Sequence, residues 1–212
     1  MAKHRRKLTF HGVASALALA VVTLIVTPAG GASAATVTPK AVPVNTWVHI
    51  VNQWTRQCAK DSSWNESLPV IQEPCDWSTN PTDLSQLFQV VPTRNVNGDQ
   101  LYEIKVTDTH CIDVPYYGAV PAGSVVTTYT CPANPAADND EWYLQYVGVL
   151  NGYETYAIRN WANWSLCLDV SGWAYNNSDL ASNAKLTVYT CQGSGPNWSV
   201  NGGWDDHLWW FM

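Results

Sequence analysis

The sequence is short of charge and nearly free of phenylalanine: 13% of its 212 residues are Asp, Glu, Lys or Arg, and only 3 are Phe. Its 11 Lys and Arg form no stripe or cluster beyond the first seven residues, so the electrostatic footprint of a nucleic-acid binder is missing and no nucleic-acid partner is expected. Apolar residues do not recur with helical spacing, so amphipathic helices are not expected. Beyond Val26 there is no second long apolar run, which excludes membrane insertion of the body of the chain. There is no G-x-S-x-G, no phosphate-binding loop and no His-x-x-x-His. The histidines His49, His110 and His207 are scattered, and catalytic zinc has no support. Disorder is excluded too, because a hydrophobic content of 46% is enough for a core.

What the chain has in quantity is tryptophan, tyrosine and cysteine: 12, 10 and 6. A buried indole N–H needs a hydrogen-bond acceptor, so Trp is favoured where one side is apolar and the other wet, and so many of them point to surface recognition. The first 34 residues read as an export signal. Lys3, Arg5, Arg6 and Lys7 are a positive start, Val13 to Val26 an apolar run, and Ala32-Ser33-Ala34 a small-x-small cleavage pattern. The apolar run is too short to span a bilayer, which takes ~20 residues. Removal of residues 1–34 leaves seven bases against 17 acids, a formal charge of −10. The exported chain is expected to be secreted, with its cysteines in an oxidising compartment. Residues 35–45 read as an extended leader.

Six cysteines allow fifteen pairings, and an internal repeat selects one. They fall as Cys58/Cys75, Cys111/Cys131 and Cys167/Cys191, and the first members lie about 55 residues apart, so each repeat owns one pair. Aligned on these pairs, the units run over about 46–95, 100–148 and 154–212. Before each first Cys comes an alternating segment: Trp47 to Asn52, Tyr102 to Val106, Tyr156 to Asn160. Before each second Cys comes a β-rich one: Leu68 to Ile71, Ser124 to Tyr129, Lys185 to Tyr189. Each unit then closes on a five-residue motif, at Gln86 to Val90, Asp140 to Leu144 and His207 to Phe211, with an aromatic third residue and an apolar fifth. Gly, Pro, Asn, Asp and Ser clusters separate them. An all-β domain with threefold symmetry is expected, closed about one axis, with Phe88, Trp142 and Trp209 in its core.

A unit that carries Cys111-Ile112-Asp113-Val114 or Cys167-Leu168-Asp169-Val170, a ring two residues before the second Cys at Tyr129 or Tyr189, and a closing motif of the N-Q-x-W-x-F kind resembles the repeat of ricin-type β-trefoil lectins. The resemblance spans nearly all of residues 46–212. It implies a β-trefoil fold and a shallow sugar site in each competent unit; no enzymatic activity, cofactor or metal is expected. In such a site the Asp accepts from sugar hydroxyls, the ring stacks on the C–H face, and an Asn before the Gln position adds polar contacts. The chemistry is sound on its own terms, since a pyranose offers a belt of hydroxyls and one apolar face.

The three units are unequally equipped. The second has Asp113, Tyr129 and Asn139, with Asp140 in place of the Gln. The third has Asp169 and Tyr189, with Asp206 for the Asn, His207 for the Gln, and a longer loop before them. The first has Lys60 at the Asp position, Asp61 displaced by one, Glu73 for the ring and Ser85 for the Asn, and is expected to bind no sugar in this way. Asp113 and Asp169 also suit turn residues that bond their own backbone. The acids of Asp138-Asn139-Asp140-Glu141 lack the glycine and the frame of a calcium loop. Trp161, Trp164, Trp173, Tyr175, Trp198 and Trp204 crowd the third unit's loops. They support a second reading, in which a non-catalytic interaction subunit grips a protein partner such as a toxin or protease. The expected function is carbohydrate or glycoconjugate binding by a stand-alone secreted module.

Overall fold

The computed structural model describes residues 42–62, 66–78, 84–172, 177–192 and 206–212. Residues 1–34, expected to be an export signal, most of the expected leader, and the loop residues Trp173, Tyr175, Trp198 and Trp204 lie outside them. Among the described residues there are fourteen strands in one connected sheet and only short 3₁₀ turns besides. No helix among them is long and apolar enough to cross a membrane.

Alternation of β-branched and aromatic residues gives each unit a long hairpin and a short one. The first unit contributes β1 (Trp47–Val48), β2 (Ile50–Asn52), the short hairpin β3 (Cys58–Asp61) and β4 (Val70–Glu73), and the start of β5 (Phe88–Val96). The second has β6 (Asp99–Lys105), β7 (His110–Asp113), β8 (Ser124–Val125), β9 (Thr127–Thr130) and β10 (Trp142–Leu150). The third has β11 (Tyr153–Asn160), β12 (Leu166–Val170), β13 (Leu186–Thr190) and β14 (Leu208–Phe211). Strands β5, β6, β10, β11 and β14 pair in succession; β14 then pairs with β2 and β5 with β1. Only His49 separates β1 from β2, and its backbone exchanges two hydrogen bonds with Met212, at 2.7 and 3.0 Å, so the ring of strands closes.

The three short hairpins, β3 with β4, β7 with β9 and β12 with β13, lean on one another across this ring. Val70 N donates to Val126 O, Gln72 N to Ala184 O and Val126 N to Leu186 O, all at 2.9 Å. Phe88, Trp142 and Trp209 are fully buried in the common core, as the repeat predicts. The indole N–H of Trp142 donates to Ile112 O at 3.5 Å and that of Trp209 to Leu168 O at 3.0 Å. The closing segments differ from the sequence expectation at their start: Leu84–Gln86 forms a 3₁₀ turn and β5 begins only at Phe88. In the first short hairpin β4 begins at Val70, since Pro69 lacks the N–H a ladder needs.

Three disulfides form as the repeat predicts, Cys58–Cys75, Cys111–Cys131 and Cys167–Cys191. Two seams between units share a further device. Asn160, at the end of β11, donates to Asn139 O at 2.6 Å, and Asn52, at the end of β2, donates to Asp206 O at 2.7 Å, both side chains fully buried. Their Oδ1 atoms accept from the turn that follows each strand.

Removing the third disulfide, which closes the longest loop, with Cys167→Ala/Cys191→Ala should lower unfolding free energy by ~3 kcal/mol on the chain-entropy account, read from urea titration. Asn160→Ala should cost about 1–3 kcal/mol in the same assay, because the buried Asn139 carbonyl loses its donor; a change below about 0.5 kcal/mol would show that the seam does not need it.

Candidate functional site

Strand register puts ring and carboxylate on one face. In the second short hairpin Cys111 pairs with Tyr129 and Asp113 with Thr127; in the third Cys167 pairs with Tyr189 and Asp169 with Thr187. Paired residues and residues two apart share a face of the ladder, so Asp and Tyr are diagonal neighbours at about 7–8 Å, a span that aromatic and long side chains bridge. Both rings stand out into solvent, Tyr129 at 47% and Tyr189 at 50% exposure. In the first hairpin Cys58 pairs with Glu73, and Lys60 Nζ lies 2.9 Å from the Glu73 carboxylate. There an ion pair occupies the face that carries carboxylate and ring in the other two.

Behind Asp113 the second unit gathers acids. Asp140 is buried at 1% exposure, next to Glu103, Asp138 and Asp113. Burial, with Glu103, Asp138 and Asp113 as neighbouring charges, raises the Asp140 carboxyl to about 8. Burial and then Asp138 raise Asp113 to about 7. Burial raises the Glu103 carboxyl as well, so Glu103, Asp113 and Asp140 form a cluster in which burial opposes ionisation. Asn139 is fully buried, and its amide donates to Tyr116 O at 2.8 Å and Gly118 O at 3.1 Å. It therefore props up the loop after Asp113, and that loop lifts Tyr116 and Tyr117 to 86% and 81% exposure beside the Asp113 hairpin. Tyr116 takes a left-handed φ of 76°, rare for a ring-bearing residue and held here by the Asn139 bond to its carbonyl.

The third unit arranges the same positions differently. Asp169 is buried, its Oδ2 accepts from Thr187 Oγ1 at 2.8 Å, and its Oδ1 lies 3.4 Å from His207 Nε2. His207, at 2% exposure, turns Nδ1 toward Asp206 Oδ1 at 3.3 Å. Burial raises the Asp169 carboxyl and His207 opposes that rise. Donor atoms of Asp169, Asp206 and His207 fall within 4.8 Å of one another, so this trio has the ligand types to hold a cation. Since each ring nitrogen faces a carboxylate, the same trio is equally served by the imidazole bridging two acids.

Of the eight residues singled out from the sequence, Asp113, Tyr129, Asp169 and Tyr189 lie on the two hairpins, and Asn139, Asp140, Asp206 and His207 on the segments that lead into β10 and β14; they form two tiers. Tyr129 and Tyr189 are exposed, and Asp113 and Asp206 partly so. Asn139, Asp140, Asp169 and His207 lie at 7% exposure or less. Tyr116 and Tyr117 escaped the sequence reading; the signal was a pair of rings before a glycine, three residues beyond Asp113. Of the tryptophan-rich loops, Trp164 stacks on Tyr143 at 4.9 Å and lies beneath the Arg159 guanidinium, while Trp161 meets it edge-on at 5.3 Å.

Neither a protein-family model nor a curated protein matches the sequence. Solved structures do match in shape. The designed threefold-symmetric protein ThreeFoil superposes with a TM-score of 0.56 at 17% identity, over 78% of this chain and 97% of that one. The chain is a β-trefoil. The exo-β-1,3-galactanase 1,3Gal43A from Clostridium thermocellum matches with a TM-score of 0.55 at 18% identity, over 82% of this chain but only 31% of that enzyme. The Rhizoctonia solani agglutinin matches with 0.53 at 12% identity, over 82% and 99%. At such identities the likeness establishes this trefoil's fold and nothing finer.

Raised carboxyl pKa values make the trefoil's second unit sensitive to pH. The unfolded chain ionises Asp140 near 4, the folded one near 8, so the stability this group contributes is complete below pH ~4 and is lost as pH rises to about 8. Asp140→Asn should match the parent at pH 4 and exceed it at pH 8.5 by about 1–3 kcal/mol, measured by urea unfolding across pH. A difference that stays flat across that range would contradict a protonated Asp140.

Proposed function

We propose that the protein is an exported, non-catalytic carbohydrate-binding module that reads glycans at shallow sites on its second and third short hairpins. The observation that carries this reading is the repeated pairing of a half-exposed ring with a carboxylate on one hairpin face, Tyr129 with Asp113 and Tyr189 with Asp169, in two units and not in the one with Lys60 and Glu73. A pyranose laid on the tyrosine offers its C–H face to the ring and its hydroxyls to the carboxylate. Tyr116 and Tyr117 extend the wall of the second site, and Asp206 edges the third. Asn139, Asp140 and His207 act from behind, holding the loop and the carboxylates in place. A fold shared with an agglutinin and with part of a galactanase supports the reading. So does the export signal over residues 1–34, which carries three disulfides to a compartment where they persist.

Such open sites stay wet, so single-site affinity in the millimolar range, roughly −4 kcal/mol, is expected, with useful strength coming from two sites on one multivalent glycan. The test is a glycan array on the oxidised protein beside Asp113→Ala/Asp169→Ala and Tyr129→Ala/Tyr189→Ala variants, each confirmed folded by near-UV circular dichroism. A coherent glycan set bound by the parent and weakened at least tenfold in both variants is expected. No binding by the folded parent, or binding indifferent to all four positions, would overturn the proposal and favour a protein partner at the Trp164 surface, 43% exposed.

A further inference from the structure

Threefold symmetry makes its own exceptions visible. Asn52 and Asn160 stand opposite Trp209 and Trp142 in the strand register, and each reaches across a seam to a backbone carbonyl of the preceding unit. At the third seam, between the first and second units, Gln89 pairs with Lys105, so the residue opposite Phe88 is Val106. Valine has no donor to span the seam. The turn that follows survives because Thr107 takes over the acceptor role, its Oγ1 receiving the N–H groups of Thr109 and His110 at 3.2 and 3.0 Å. At this seam lies an open groove of about 330 Å³ lined by Trp47, Leu84, Leu87, Val106, Thr107 and Asp108.

The lining is apolar but for one end. Trp47 is 40% exposed and Leu84 54%, large apolar surface facing water at a single seam. Asp108 is exposed at the rim, and no cation among the described residues pairs with it. A cleft of this size is at the lower end of small-molecule sites, about 300–1,000 Å³. A polyhydroxylated ligand is a poor occupant, because most of its hydroxyls would face Leu84, Leu87 and Val106 without partners. An anion is repelled by Asp108 and by a chain whose formal charge is −6.

We infer that the groove between the first and second units is a binding site for a small amphiphilic cation, whose apolar body lies on Leu84, Leu87 and Val106 and whose ammonium group sits between the Trp47 ring and the Asp108 carboxylate. Each part follows from the lining: burial of apolar surface holds the body, the indole face attracts the cation, and the single carboxylate fixes which end points out. The site lies outside the two hairpin faces of the proposed sugar sites and stands or falls independently of them.

Three hexyl compounds on the full oxidised chain separate the possibilities: hexyltrimethylammonium, hexanoate and hexyl β-glucoside, followed by isothermal titration and by amide shifts of Thr107 and Asp108 in a ¹⁵N-labelled sample. The cation should saturate with shifts at those amides and bind at least tenfold better than either of the others. Asp108→Asn, a change at an exposed position, should weaken it at least fivefold; Leu84→Trp, which fills the groove from its rim, should abolish it; Asp113→Ala should leave it unchanged. Equal binding of all three compounds, preference for the glucoside, indifference to Asp108→Asn, or no saturable shift in the folded parent would each overturn the inference.

Discussion

The hydrogen bond from a buried tryptophan to the backbone just past the first cysteine of its own unit joins the core of this trefoil to its surface. Trp142 and Trp209 are fully enclosed, and each indole N–H must find an acceptor there. The acceptors are the carbonyls of Ile112 and Leu168, the residues immediately before Asp113 and Asp169. Closing the core thus fixes the backbone that carries each carboxylate. In the first unit the corresponding residue is Phe88, which has no donor to offer, and that unit also lacks the carboxylate and the ring on its hairpin.

Beneath each short hairpin the trefoil places a polar side chain where a neutral amide would suit, and each unit resolves the resulting electrostatic problem in its own way. In the second unit burial and the neighbouring Glu103, Asp138 and Asp113 raise the Asp140 carboxyl to about 8, which favours its neutral form. In the third an imidazole lies between Asp169 and Asp206. In the first Gln86 supplies the amide itself, donating to Pro74 O and accepting from Asp76 N. A buried charge costs several kcal/mol unless it is paired or neutralised, which is why these residues sit in networks and not alone. The second and third units consequently present similar rings to solvent over different foundations, with Asp113 partly exposed and Asp169 buried.

Much of this was legible in the chain before any coordinates. Cysteine spacing and the closing motifs carry the period, and a period of that length with alternating apolar residues leaves few folds; the three pairs and the burial of Phe88, Trp142 and Trp209 followed directly. The candidate residues were legible as positions but not as depths. Asn139 reads as a polar residue near a turn, and only the fold shows its amide spent on the carbonyls of Tyr116 and Gly118. Depth depends on neighbours distant in sequence, as with Glu103 against Asp140, and no local pattern encodes that. Tyr116 and Tyr117 were missed for the converse reason: their prominence is produced by a loop conformation that a remote side chain holds. The Val106 substitution becomes meaningful only when strand register reveals which residues are equivalent.

Closure of the ring through β14 has a consequence for how the molecule comes into being. The seam that completes the ring of strands joins Ile50–Asn52 to Leu208–Phe211, strands from opposite ends of the domain. During synthesis β2 therefore waits with one edge unpaired while some 150 residues are added, and the aromatic core is incomplete until Trp209 emerges. The fold therefore completes late in synthesis, when β14 becomes available to both β2 and β11.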